Sequence, residues 1–286
     1  LFSKRLSLTF CAAAIAFLTM TSAACKRPAP ESSAPAIEFQ TDNFDLDGIG
    51  WMSEQADENG VDLNVSGLCA LDSNVAFLFG GVGVAAGTIR SFLLRTIDGG
   101  KSWHEVMSPV LGSELTHVAF SDHQHGWALA LWSVEGPGTV LLFGSTDGGK
   151  TWRQLTEVQR SQGHALPDGF PLSMTFTSAL NGEIELAYEG ESTSIDDTRE
   201  EIATLASDDG GVTWSMVRRE TRKRLPVETP AAHHDCGFDS TDWELHTRAA
   251  NDSITVRRFD REQDHWRVMT LPLHFQYKRG RVLSSP

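Results

Sequence analysis

Three copies of one eight-residue box constrain this chain more than any other feature. They are Thr96-Ile97-Asp98-Gly99-Gly100-Lys101-Ser102-Trp103, Ser145-Thr146-Asp147-Gly148-Gly149-Lys150-Thr151-Trp152 and Ser207-Asp208-Asp209-Gly210-Gly211-Val212-Thr213-Trp214. Each places Asp two, Gly four, a second hydroxyl residue six and Trp seven positions after a first hydroxyl residue. The boxes start 49 and then 62 residues apart. A frame recurring at that interval implies an array of similar supersecondary units. The chemistry of the box is that of a hairpin turn. Its Asp accepts backbone N–H bonds, its Gly takes positive φ without steric cost, its hydroxyls bond locally, and its Trp offers a broad flat surface for packing.

The residues around each box read as four short strands. The second unit is the clearest: Leu115–Phe120 alternates, and Gly126–Trp132, Thr139–Ser145 and Thr151–Leu155 follow. Short β-rich runs split by Gly, Asp, Pro and Ser clusters predict a four-stranded antiparallel meander. The first unit repeats the order with Val65–Leu71, Val75–Phe79, a Gly-rich loop through Gly87, Ile89–Thr96 and Ser102–Val106. The third runs Leu172–Thr177, Gly182–Tyr188, Glu201–Ser207 and Thr213–Val217. A fourth, degenerate copy keeps Asp260 and Trp266 but has lost the glycines and gained a residue between Asp and Trp. Its earlier strands are expected at Asp235–Phe238, Asp242–Arg248 and Ser253–Phe259. The chain is therefore all-β, with units at 65–109, 115–158, 172–219 and 234–271. Sheets this small cannot bury both faces alone, so radial packing satisfies them best.

The box resembles the Asp-box, or BNR repeat, and the chain is similar to the β-propellers that carry it: sialidases, sortilin-type receptors, certain glycoside hydrolases and BNR-like photosystem II assembly factors. The resemblance implies a β-propeller over 37–286, with six or seven blades usual in the family, whereas the units counted here give four to five. It also makes the box aspartates structural, on outer turns. Segments 37–62 and 272–286 are expected to supply a composite blade that closes the ring.

Residues 1–24 read as a secretory signal: Lys4-Arg5, an apolar run Leu6–Met20, and small residues Thr21-Ser22-Ala23-Ala24 before Cys25. That run is too short and wrongly flanked for a spanning helix. Cys25 resembles the modified cysteine of a bacterial lipoprotein, whereas Ser22 and Ala24 also satisfy the rule for ordinary cleavage. Residues 25–36 then form a Pro-, Ala- and Ser-rich tether, too poor in apolar bulk to pack. The expected location is the bacterial cell envelope, on the outer membrane by resemblance, with the lipid as the sole membrane contact. Cys69 and Cys236 precede the ends of equivalent first strands by two residues. They form either a disulfide at a closing seam or a pair of buried thiols.

The formal net charge of -14 over 286 residues argues against nucleic acid as a partner. No cofactor, metal or catalytic set is expected. The family pattern for a sialidase needs a Tyr nucleophile paired with Glu, but Tyr188 and Glu189 are strand neighbours that point to opposite faces. Arg224-Leu225-Pro226 resembles the family's arginine motif but follows the third box instead of preceding the first. The pairs Asp208-Asp209, Asp196-Asp197 and Glu200-Glu201 leave another glycosidase open. His117, His123, His125 and the run His233-His234-Asp235-Cys236 lack a complete metal-ligand spacing. Gly80-Gly81-Val82-Gly83 joins two strands and lacks the helix and Lys of a phosphate loop. The basic run Arg218, Arg219, Arg222, Lys223 and Arg224 reads as a solvated connection between units three and four, or as a docking strip for an acidic partner. The expected function is a non-catalytic binding or assembly module for a protein or surface glycan. The alternative is a glycan-active hydrolase.

Overall fold

A computed structural model describes residues 36–38, 43–44, 62–84, 87–132, 139–157, 169–189, 199–223, 236, 242–246, 253–272 and 276–277. The signal, residues 25–35 of the tether with Cys25, and Arg224 lie outside them, whereas Ala36, read as the last tether residue, pairs with Ser102. All described residues belong to one unit, Ala34–Pro286, and no helix occurs among them.

Two short strands, β1 (Ala36–Glu38) and β2 (Asn43–Phe44), precede the first sheet. That sheet is a meander of β3 (Asp62–Ala70), β4 (Ala76–Val84), β5 (Gly87–Thr96) and β6 (Ser102–Glu105), with β1 added parallel to β6 in the order β1-β6-β5-β4-β3. Sheet two is the antiparallel meander of β7 (Ser113–Phe120), β8 (Gly126–Trp132), β9 (Thr139–Ser145) and β10 (Arg153–Glu157). Sheet three repeats it with β11 (Phe170–Phe176), β12 (Gly182–Glu189), β13 (Arg199–Ser207) and β14 (Ser215–Lys223). Sheet four has β15 (Trp243–His246), β16 (Ser253–Asp260) and β17 (His265–Pro272). A last strand, β18 (Gln276–Tyr277), runs parallel to β2 over two residues. Of the segments expected to build a composite blade, residues 37–38 of β1 thus lie on the first sheet, while β2 and β18 pair with each other. The remainder falls outside the described residues.

Strand alternation gives each sheet two faces, and three apolar clusters join them. Leu78, Phe92, Leu94 and Trp103 of sheet one meet Trp243, Leu245, Val256 and Leu271 of sheet four. The opposite face of sheet one, with Phe77, Phe79 and Leu93, meets Leu115, Phe120 and Ala128 of sheet two. Trp127, Leu129 and Leu142 on the far face of sheet two meet Phe176, Ile184 and Leu205 of sheet three. The array is therefore four, one, two, three. Sheets one and two are covered on both sides, and burying each of their Leu or Phe side chains contributes roughly 2 kcal/mol.

Several segments differ from their sequence reading. Gly80 to Gly83 is not a loop but the second half of β4, facing β3 across a bulge between Val65 and Gly67. A Cβ on Gly80 would fall 2.0 Å from the Asn64 carbonyl oxygen, so glycine here permits backbone approach and not anion binding. The basic run is no connection either, because β14 extends through Lys223 against Arg199–Ala206 of β13. The fourth turn pairs Phe259 with Trp266 and Asp260 with His265, leaving Arg261–Asp264 as the hairpin loop with Asp264 at φ 52°. In that register Phe259 takes the place of the box hydroxyl, and Arg261 that of the box Asp.

Candidate functional site

The boxes are scaffold, held by a repeated set of hydrogen bonds. In the first, Thr96 Oγ1 donates to Asp98 Oδ1 (2.9 Å) and accepts from the Gly100 N–H (2.9 Å). Asp98 in turn accepts from the Ser102 N–H (3.0 Å) and hydroxyl (2.7 Å). Ser145, Asp147, Gly149 and Thr151 repeat the set, as do Ser207, Asp209, Gly211 and Thr213. Burial alone would raise the Asp147 carboxyl, but the hydrogen bonds from Thr151, Ser145 and Lys150 outweigh it and lower it to about 2. Burial also opposes the shift at Asp98 and Asp209, and the hydrogen bonds of their own boxes again hold the carboxyls below the ordinary value. Trp152 and Trp214 donate from Nε1 to the Gly149 and Gly211 carbonyls (3.1 and 3.0 Å). Trp103 is fully buried. In the degenerate copy Asp260 accepts from the Glu262 and Gln263 N–H groups and pairs with Arg267 (2.6 Å), while Trp266 stacks edge-on to Phe259.

Each box also docks on the preceding sheet of the array. A Cβ on Gly100 would lie 2.5 Å from Met269 Sδ and 3.4 Å from the Trp243 ring, and one on Gly149 would lie 2.5 Å from the Phe77 ring. One on Gly211 would lie 2.6 Å from Leu142 and 3.6 Å from Trp127, whose Nε1 donates to the Gly210 carbonyl (2.8 Å). The receiving residue is thus aromatic in sheets four, one and two: Trp243, Phe77 and Trp127. In sheet three the equivalent residue is Glu183. Phe77 pairs with Arg95, Trp127 with Gly144 and Glu183 with Ala206, each one residue before the box hydroxyl of its own unit.

Glu183 is exposed, and the face around it is polar. One row across the sheet is Thr175, Glu183, Ala206 and Ser215, and the next is Ser173, Glu185, Thr204 and Arg218. The second row is satisfied internally. Ser173 Oγ donates to Glu185 Oε2 (3.3 Å), and Arg218 donates to Thr204 Oγ1 (3.2 Å) and Glu185 Oε1 (3.0 Å). The first row opens into a cleft of 450 Å³, lined also by Thr177, Asn181, Asp208 and Thr213. The sequence reading passed over Glu183. Aligning the second strands on the box hydroxyls exposes it, because a carboxylate stands there in place of an aromatic ring.

The other candidates are placed as follows. Arg219 pairs with Glu201, and Arg222 with Glu200 (2.7 Å), so with Arg218 three arginines of the basic run face carboxylates of their own sheet. For Lys223 only the backbone is described. Cys69 and Cys236 are joined by a disulfide, with Cα atoms 5.4 Å apart. The bond links the first and fourth units, and Cys236 packs with Cys69 in the cluster between sheets one and two, where its carbonyl accepts from the Phe120 N–H (3.0 Å). His117 is buried beside the Leu172 carbonyl (3.2 Å), and His125 lies 2.8 Å from Asp122. His233 and His234 lie outside the described residues, among which no group of three or more His, Cys, Asp or Glu converges. Arg90 and Glu105 form a buried ion pair (3.0 Å) in sheet one. Burial lowers the Arg90 pKa against the opposing pull of Glu105.

The chain matches no protein-family model, and no characterised protein matches it in sequence. Solved structures align with it at low identity. A Hadza microbial sialidase, Hz136, aligns at 13% identity with TM-score 0.39, over 76% of this chain and 45% of its own length. An α-L-arabinofuranosidase from Fusarium graminearum aligns at 10% and 0.36, over 78% and 63%. A family 117 glycoside hydrolase from Zobellia galactanivorans aligns at 8% and 0.35, over 85% and 74%. The chain thus spans less than two thirds of the first two. What the described residues show is an all-β chain built of small, mainly antiparallel sheets.

Proposed function

We propose that this chain is an exported, lipid-anchored binding and assembly module of propeller type, working through the open face of its third sheet. One observation carries the reading. The position that receives a neighbouring box in the other sheets is occupied there by exposed Glu183, in a polar cleft with Thr175, Asn181, Asp208 and Ser215. A polar face at the end of the array, where an apolar one would seek another sheet, suits reversible contact with a protein or a surface glycan. Export is supported by the signal-like N-terminus and by the Cys69–Cys236 disulfide, which suits an oxidising compartment. Affinity purification from envelope fractions, with a glycan array alongside, tests the reading. Wild type is expected to retain a partner or glycan that Glu183→Lys/Ser215→Lys loses, and equal retention by both proteins overturns it. Labelling with a palmitate analogue, lost in Cys25→Ala, tests the anchor.

The second reading is a glycan-active hydrolase. Glu183 and Asp208 line one cleft, and paired carboxylates are the usual means of glycoside cleavage. The proteins named above accord with this reading better than with a non-catalytic role, although their likeness is of fold alone. Turnover of any member of a fluorogenic glycoside panel, lost in Glu183→Gln and in Asp208→Asn, would favour it over the first.

A further inference from the structure

Two of the three docked interfaces pair charges as well as surfaces, while at the third Gly144 stands beside Trp127 and presents no cation. The guanidinium of Arg258, beneath the ring of Trp243, packs against the first box, where a Cβ on Gly99 would fall 2.5 Å from its Nη1. Arg95 has the equivalent place over Phe77, in the field of Asp147 of the second box. In both cases the receiving sheet presents a cation to a turn built around an aspartate. The third sheet has neither cation nor aromatic ring there, since Ala206 replaces the Arg and Glu183 the ring.

The fourth turn is changed in the complementary sense. Arg261 occupies the slot of the box aspartate, and the two glycines that let the other boxes approach an aromatic ring are replaced by Glu262 and Gln263. Its side chain is 71% exposed and turned onto Asp242 of its own sheet (2.8 Å). The receiving anion and the incoming cation are thus both on the surface, at opposite ends of the four-one-two-three array, and among the described residues no ion pair joins them.

We propose that the open face of sheet three takes the fourth turn, Arg261–Asp264, of a second copy of this chain, with Arg261 facing Glu183. This rests on the reading of that face as the working surface and names its partner. The contact is heterologous, head to tail, so it closes into a ring of chains or extends as a filament. Like charges brought opposite one another at such a contact are strongly unfavourable, whereas swapped charges are restored.

Sedimentation of the intact chain from about 1 to about 100 µM tests this, spanning the range expected of a contact held by few charges. Wild type is expected to self-associate. Glu183→Arg and Arg261→Glu should each weaken association by about tenfold or more, and the two together should restore it. Both side chains are exposed, so an unchanged circular dichroism spectrum checks the fold of each variant. A wild type that stays monomeric throughout, or association indifferent to either reversal, overturns the proposal. If Glu183→Arg loses an envelope partner while wild type is monomeric, the inference falls and the binding reading stands.

Discussion

Gly149 of the second box lies against the ring of Phe77 in the neighbouring sheet, so closely that a Cβ there would be 2.5 Å from two ring carbons. Its φ is 72°, in the region where side chains are strained. Both effects oppose any substitution. Gly149→Ala is expected to lower unfolding free energy by about 2–3 kcal/mol in urea titration. A variant as stable as wild type would show that the box does not set the distance between sheets one and two.

The box aspartates make stability depend on acid. The Asp147 carboxyl has an ordinary value of 3.8 and is lowered to about 2 in the fold, so the unfolded chain takes up its proton first. The stabilisation is complete above about pH 4 and is lost as pH falls towards 2, and Asp98 and Asp209 act in the same direction. Stability measured between pH 5 and pH 2 should therefore decline less steeply in Asp147→Asn than in wild type. Equal slopes would count against this account of the box.

Arg90 and Glu105 are both buried within sheet one. Removing one leaves the other charge out of water, which costs about 3–5 kcal/mol. Arg90→Met alone should be severely destabilised, and Arg90→Met/Glu105→Leu should recover most of the loss by thermal or chemical denaturation. Additive losses in the double variant would mean that each side chain acts separately.

The Cys69–Cys236 disulfide joins residues 167 apart in sequence, tying the segment before sheet four to the first strand of sheet one. Cross-linking so long a loop restricts the unfolded chain, and its removal is expected to cost about 2–5 kcal/mol. Cys69→Ala/Cys236→Ala should unfold at correspondingly lower denaturant, and the unfolded, unreduced chain carrying Cys11→Ser and Cys25→Ser should show no free thiol. Two free thiols there would contradict the linkage.

Local chemistry was largely legible in the sequence, and long-range pairing was not. The hydroxyl, Asp and Gly of each box make hydrogen bonds within five residues of one another, and Gly126–Trp132 and Thr139–Ser145 are strands with the expected ends. Arg218 to Lys223 reads as a connector because its alternation carries no apolar face. It is a strand because Glu185, Glu200 and Glu201, distant in sequence, supply its counter-charges. Gly80 to Gly83 misleads for the same reason, since only the approach of Asn64 explains its glycines. That sheet four packs on sheet one depends on surfaces nearly two hundred residues apart, which no local pattern records. Glu183 was readable only by comparison with Phe77 and Trp127, once their sheets were seen to be covered.

The openness of the third sheet at Glu183 is the claim on which the functional reading rests, and maleimide labelling of native Glu183→Cys in dilute solution, with Cys11 and Cys25 changed to Ser, measures it most directly. Ala130→Cys, in the covered core between sheets one and two, serves as the protected reference. The account predicts that the Glu183→Cys thiol reacts at nearly the rate of the unfolded chain while Ala130→Cys waits for unfolding. Protection of both thiols alike would mean that another part of the chain covers the face, and would contradict it.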